Sequence, residues 1–412
     1  MQMCHVDTMG SAQPLSPGVA SVFDLDRDLK LMALAVLFYA FALGLYLRLL
    51  STFALNLGAS GFHVGLMNAT MLVVVMLSAA PGAWAAQRFQ LKPVIVAVWW
   101  VGALIPLCFM LAPSWPWLFV GYAVSGMAFA NNPAMKSYIF LKSEPARAAR
   151  NVAVLYGVYP LGLTVAPLLG GLAADRLGMR TVFAASIVLY VLSATTASLI
   201  RDTPYHASDT PWTLATLWNT QRFRRYVIFF FIGYFAVYLG QDFVNPFLAQ
   251  VHNQSFLALG VYSSLTAVGT TLLTFAMGRL TDTRGPRAGM TGVLAALVLG
   301  SIVLLIGSST VAWGVAAFAL GACDALRYLA NGMVGASFRG VPLAWGYAVF
   351  DTAMGVPMIL GAVFGGLLYR YSADAPFIVI GSVAAVLLLL LAVADKTGDA
   401  GEGGAIPTAG ED

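Results

Sequence analysis

Six ionisable side chains interrupt long apolar runs: Arg48, Lys136, Asp242, Asp324, Arg327 and Asp351. A charge at the centre of a membrane helix costs about 2.5–3.5 kcal/mol on insertion scales, so such groups are expected to pair or to face a cavity. Asp324, Arg327 and Asn331 stand at i, i+3 and i+7, a spacing that puts them on one helical face. A carboxylate beside an arginine can bind a polar solute or carry a proton, its affinity for the proton rising and falling as water and solute come and go. An internal ion pair that merely tolerates burial is the alternative. Lys136 is expected either to face the same space or to snorkel to the membrane surface. Asn131 and Asn132 precede Pro133, where a local helix break would expose carbonyls to a ligand; hydrogen bonding between helices is the alternative. Asp351 falls about two turns into its run and is left outside the site.

Other chemistry finds no support in the sequence. The four histidines, His5, His63, His206 and His252, fall in tails or connecting segments, so a histidine proton relay is not expected. Cys4, Cys108 and Cys323 are isolated and have neither zinc-ligand nor disulfide spacing. No nucleotide-binding loop and no nucleophile–base arrangement appears, so neither an enzyme, nor a cofactor, nor ATP-driven transport is expected. A net charge of +4, dispersed along the chain, is too small to suggest nucleic acid as a partner, and none is expected.

The elements that carry these residues are membrane spans. Of 412 residues, 59% are hydrophobic and 10% charged, against about 25% charged in soluble proteins. Roughly 20 apolar residues cross a bilayer as a helix. Twelve stretches qualify: 31–55, 65–86, 93–112, 116–140, 151–173, 181–199, 226–249, 256–277, 288–306, 311–337, 343–368 and 375–394, numbered here as spans 1 to 12. Helices rather than a barrel are expected, because the runs are long and continuously apolar. Residues 1–30 are polar, and no cleavable signal peptide is expected. Sixteen Lys and Arg residues fall on the side of the N-terminus, Arg176, Arg180 and Arg370 on the other, and Arg48, Lys136 and Arg327 within spans. That asymmetry predicts both termini in the cytoplasm. Trp115 and Trp117 read as interfacial anchors. The aromatic residues of span 1 (Phe38, Tyr39, Phe41, Tyr46) read as lipid or helix contacts, with a cavity wall as the alternative.

The chain reads as a duplication. An offset of 195 residues places Gly65 on Gly260, Gly126 on Gly321, Lys92 on Arg287, and Gly170 and Gly171 on Gly365 and Gly366. The predicted organisation is a tail over 1–30, a six-helix bundle over 31–200, a central loop over 201–225, a second six-helix bundle over 226–394 and a tail over 395–412. Two parallel halves of this kind place a solute path between them.

The loop GRLTDTRGPR (278–287) resembles the loop signature of the major facilitator superfamily, with Gly278, Asp282, Gly285 and Arg287 matching and Arg284 following the usual basic position. The equivalent loop after span 2 keeps Arg88 and Lys92, but has Gln87 for the aspartate and Gln90 for the glycine. GLTVAPLLGG (162–171) is similar to an element of the family's antiporters, while the arginine those antiporters often carry in span 4 is absent. The resemblance implies an all-α fold of twelve transmembrane helices in two pseudo-symmetric bundles, with spans 1, 4, 7 and 10 around a central cavity. Five of the six charges within the apolar runs fall on those four spans. It also implies that Asp282 faces the amides near Asn151 and Val152 and latches the cytoplasmic side shut, aided by the helix macrodipole; a plain turn at Arg284-Gly285-Pro286 is the alternative. Arg48 and Asp242 lie at nearly equal heights on spans 1 and 7, so they are expected to pair when the outer side is closed, with Gln241 and Asn245 completing the hydrogen bonds. Independent contacts to solute are the alternative.

The resulting expectation is a secondary transporter of a small organic solute in the inner or plasma membrane. It would work by alternating access as a monomer in the lipid bilayer, with protons as the expected coupling ion. Export of an amphiphilic compound is favoured by the span 5 element. Uptake of a polar or anionic metabolite is favoured by Arg48, Lys136 and Arg327, and a transport-dead sensor or scaffold is the third alternative.

Overall fold

The computed structural model describes residues 25–129, 132–143, 148–203, 221–335 and 343–398. Among these, the regular structure is entirely helical. Eleven helical stretches are long and apolar enough to cross a membrane. The remaining expected span, span 4, is described in two pieces, Leu118–Met127 and Asn132–Lys142. Several helices outrun their apolar cores by a polar turn, as in Gly61–Phe89 (span 2), Ala148–Leu177 (span 5) and Phe256–Arg284 (span 8). Serine caps explain where some begin. Ser60, Ser255 and Ser309 each accept a hydrogen bond from the backbone N–H three residues on, at 3.4, 3.3 and 3.2 Å, satisfying donors that the first turn leaves orphaned.

The start of span 1, the end of span 4 and the end of span 6 meet on one face, termed the near face. There Lys142 Nζ pairs with the buried Asp28 at 2.9 Å, and Tyr138 Oη donates to the Arg201 carbonyl at 2.7 Å. On the opposite, far face, the His63 ring stacks on Trp115 at 4.0 Å, and Tyr369 Oη donates to Gln250 at 3.0 Å. The start of span 2, the start of span 4 and the ends of spans 7 and 11 therefore share that side.

The spans that carry the site residues are broken. Span 1 is helical over Arg27–Tyr46 and again over Leu50–Asn56. Span 7 is helical over Gln221–Gly240, tightens to a 3-10 turn at Gln241–Phe243 and resumes at Val244–Gln250. Span 10 runs over Thr310–Leu320 and Ala322–Gly335, interrupted at Gly321. Arg48, Asp242 and Asp324 sit at or beside these breaks. An aromatic cluster around Tyr46, Phe109 and Phe183 packs spans 1, 3 and 6 together. Across the two sequence halves, span 2 packs against span 11 and span 5 against span 8.

Candidate functional site

The breaks in spans 1, 7 and 10 turn their side chains into one central cavity of about 300 Å³. Arg48, Gln241, Asp242, Asn245, Asp324 and Arg327 all line it. Arg48 Nη2 donates to Asp324 Oδ2 at 3.0 Å, and Arg327 Nη2 pairs with Oδ1 of the same carboxylate. Each oxygen of Asp324 thus holds one guanidinium. Arg327 also donates to Tyr238 Oη, and its guanidinium carbon lies 5.7 Å from the centre of that ring, within cation–π range. Asn245 is buried and fixes the break in span 1: its Nδ2 donates to the Arg48 carbonyl at 2.8 Å and to Ser263 Oγ at 2.9 Å. That carbonyl stands where span 1 stops being regular helix, so the bond supplies a partner to an acceptor that would otherwise be orphaned.

Arg48 therefore pairs with Asp324 and not with Asp242, contrary to the expectation from their heights. Asp242 lies close enough to feel the charges of Arg48 and Arg327. Among the described residues it makes neither an ion pair nor a hydrogen bond through its carboxylate. Gln241 Oε1 is buried and likewise without a partner. With all four ionised, the two arginines and two aspartates among the described residues of the cavity sum to zero charge.

The other expected residues fall elsewhere. Asn331 does not line the cavity; its carbonyl accepts from Tyr347 at 3.2 Å and its buried Oδ1 has no partner. Asn131 lies outside the described residues, as do the side chains of Asn132 and Lys136. Asp282 is exposed at the end of span 8 and makes no contact through its carboxylate with a described residue, so the latch to the start of span 5 is not formed in this conformation. Arg88, Arg284 and Arg287 are exposed, and an added Cβ at Gly278 or at Gly157 meets nothing within 4 Å. Among the described residues, the close backbone contacts between the halves lie at the far face. Gly65 and Gly366 bring spans 2 and 11 into backbone contact, and Gly171 and Gly260 do the same for spans 5 and 8. A Cβ on Gly65 would lie 2.3 Å from the Ala362 carbonyl oxygen, and one on Gly260 2.4 Å from that of Pro167.

Two features differ from what the sequence favoured: for the aromatic residues of span 1 the cavity wall was only the alternative, and Asp175 was not singled out. Tyr39, Tyr46, Tyr122, Tyr159, Tyr238 and Tyr328 all line the cavity, so the aromatic residues of span 1 belong in part to its wall. Asp175, at the end of span 5, accepts from the backbone N–H groups of Phe256 and Leu257 at the start of span 8, at 2.8 and 2.9 Å. A signal for it was present: Gly171, Asp175, Gly178 and Arg180 repeat the spacing of Gly278, Asp282, Gly285 and Arg287.

The sequence profile of the Major Facilitator Superfamily matches residues 32–239 and 230–408. A protein of Mycolicibacterium smegmatis (strain ATCC 700084 / mc(2)155) described as an MFS-type efflux pump is 26% identical over 250 residues, which are 60% of this chain and 50% of that protein. The chain thus spans about half the length of that relative. A crystal structure of the nucleoside transporter NupG superposes with a TM-score of 0.74 at 14% identity, covering 90% of this chain and 100% of the other. A mutant of the same transporter gives 0.75, with coverage of 89% and 99%.

Proposed function

Because the chain belongs to the major facilitator superfamily, and is a multi-pass membrane transporter rather than an enzyme, we propose that it moves a small amphiphilic organic solute through the central cavity by proton-coupled alternating access. The observation that carries this is the unequal company of two aspartates in one cavity. Asp324 is held by two guanidinium groups. Protonating it would strand both, and removing one partner of such a cluster is costly. Asp242 has no such partner, so it is the carboxylate free to take up and release a proton. This reverses the assignment favoured by the spacing of Asp324 and Arg327. The unpartnered Gln241 Oε1 and the tyrosine hydroxyls offer hydrogen bonds to the polar end of a solute, and the rings offer apolar surface to its body.

The near face is the cytoplasmic one, by the Lys and Arg asymmetry, and the chain works as a monomer in the inner or plasma membrane. Export is the direction, supported by the element 162–171 and by the efflux description of the mycobacterial relative. In everted membrane vesicles energised by a proton gradient, the wild type accumulates a fluorescent amphiphile and Asp242→Asn does not. Proton-dependent accumulation of an anionic metabolite by right-side-out vesicles instead would establish uptake, the alternative that Arg48 and Arg327 favour.

A further inference from the structure

We propose that spans 5 and 8 form a two-ended latch. The near end, Asp282 toward the start of span 5, is what the family resemblance implies; the new element is the far end, where Asp175 in the last turns of span 5 caps the first turn of span 8, so that only one end is engaged at a time. This goes beyond the transport reading, since it concerns the balance of conformations whatever the solute.

The far end is engaged in this structure. Asp175 Oδ1 takes the N–H of Phe256 and Oδ2 that of Leu257. These are two of the four donors that an α-helix leaves open at its start, and the macrodipole adds to the attraction. Gly171 and Gly260 make room for the contact: a Cβ on Gly171 would lie 2.2 Å from the Phe256 carbonyl oxygen. The near end is disengaged, with Asp282 exposed and unpartnered among the described residues.

The two carboxylates sit in the same local frame. Each lies four residues after a glycine and three before another, with an arginine two further on. The second glycine ends the helix with a positive φ, 85° at Gly178 and 89° at Gly285, and the next helix begins at once. Spans 5 and 8 run antiparallel, as the meeting of the end of one with the start of the other requires. The last turns of each therefore lie beside the first turn of its partner, at opposite faces of the membrane. The other seam, between spans 2 and 11, lacks the device. Under the 195-residue offset Asp175 falls on Arg370 and Asp282 on Gln87, neither of them a carboxylate.

The test places a reporter at Ser51→Cys in a full-length chain with Cys4, Cys108 and Cys323 replaced. Ser51 lines the cavity and is 6% exposed, and a membrane-impermeant maleimide applied from the far side reaches it only when that side opens. Asp175→Ala raises the labelling rate about three- to tenfold, the range expected for loss of a helix cap. Asp282→Ala lowers it below that of the parent, and the double variant returns toward the parental rate. Asp175→Asn, which keeps an acceptor oxygen but no charge, falls between and decides the matter if Asp175→Ala is poorly produced. A parental rate in Asp175→Asn and Asp175→Ala, or shifts of the same sign at Asp175 and Asp282, overturns the proposal. Labelling needs neither solute nor proton gradient, so its failure leaves the transport reading untouched, and the converse holds.

Discussion

Asp324 and Asp242 line one cavity, yet substitution at the two should be felt by different measurements. Asp324→Ala leaves Arg48 and Arg327 without the carboxylate they share, and is expected to cost about 3 kcal/mol, seen as a lowered unfolding midpoint in detergent. Asp242→Asn should leave that midpoint within about 0.5 kcal/mol of the parent and remove the pH dependence of transport; persistence of that dependence would exclude Asp242 as the carrier. Gln90 is a second test at this scale. It holds φ 70° and ψ 170° between spans 2 and 3, almost the geometry of its counterpart Gly285, φ 89° and ψ 166°. That region is costly for any residue with a Cβ, by about 1–3 kcal/mol, so Gln90→Gly should stabilise the protein and Gly285→Gln destabilise it in the same melting experiment. The Asp324–Arg327 pair was legible from its spacing alone. The partner of Arg48 was not, because height along two helices fixes one coordinate, whereas rotation about each axis, altered here by the break after Tyr46, decides which carboxylate is met. The tyrosines were invisible as a set because nothing local distinguishes a hydroxyl facing a cavity from one facing another helix.

Among the elements, spans were readable from apolar length, but their interruptions were only partly so. Gly240 and Gly321 mark two of the breaks, while Leu47-Arg48-Leu49 contains no helix breaker at all and is held open by Asn245 from span 7. The duplication shows in contacts as well as letters. Gly126 packs on the Met71 carbonyl and Gly321 on that of Thr266, the same contact once the 195-residue offset is applied. The Gly65–Gly366 and Gly260–Gly171 contacts are related in the same way. Gly260→Ala would force the far-face seam apart and should lower the unfolding midpoint. Gly157→Ala has open space around it and gains helix propensity, so it should raise stability by up to about 1 kcal/mol. Equal effects of the two would show that the seam is not the tight contact described.

For the molecule as a whole, the balance of Lys and Arg makes a topological prediction. In intact cells, cysteines placed at Asn253 and Ser308 should react with an external reagent, and one at Ser208 should not; labelling at Ser208 would invert the orientation. Family and fold were accessible from the sequence because apolar length and a loop signature are local patterns. The face at which the halves make close contact was not, since it depends on which of two alternative sets of contacts is made. The zero sum of the four described charges in the central cavity has an electrical consequence. Two arginines and two ionised aspartates cross the membrane field together without net work, so the unloaded carrier should reorient at the same rate at any membrane potential. A proton on Asp242 adds one charge, worth about 2.3 kcal/mol per 100 mV over the full field. Voltage should therefore act on the protonated half of the cycle alone, and current recordings at clamped potentials would separate the two limbs.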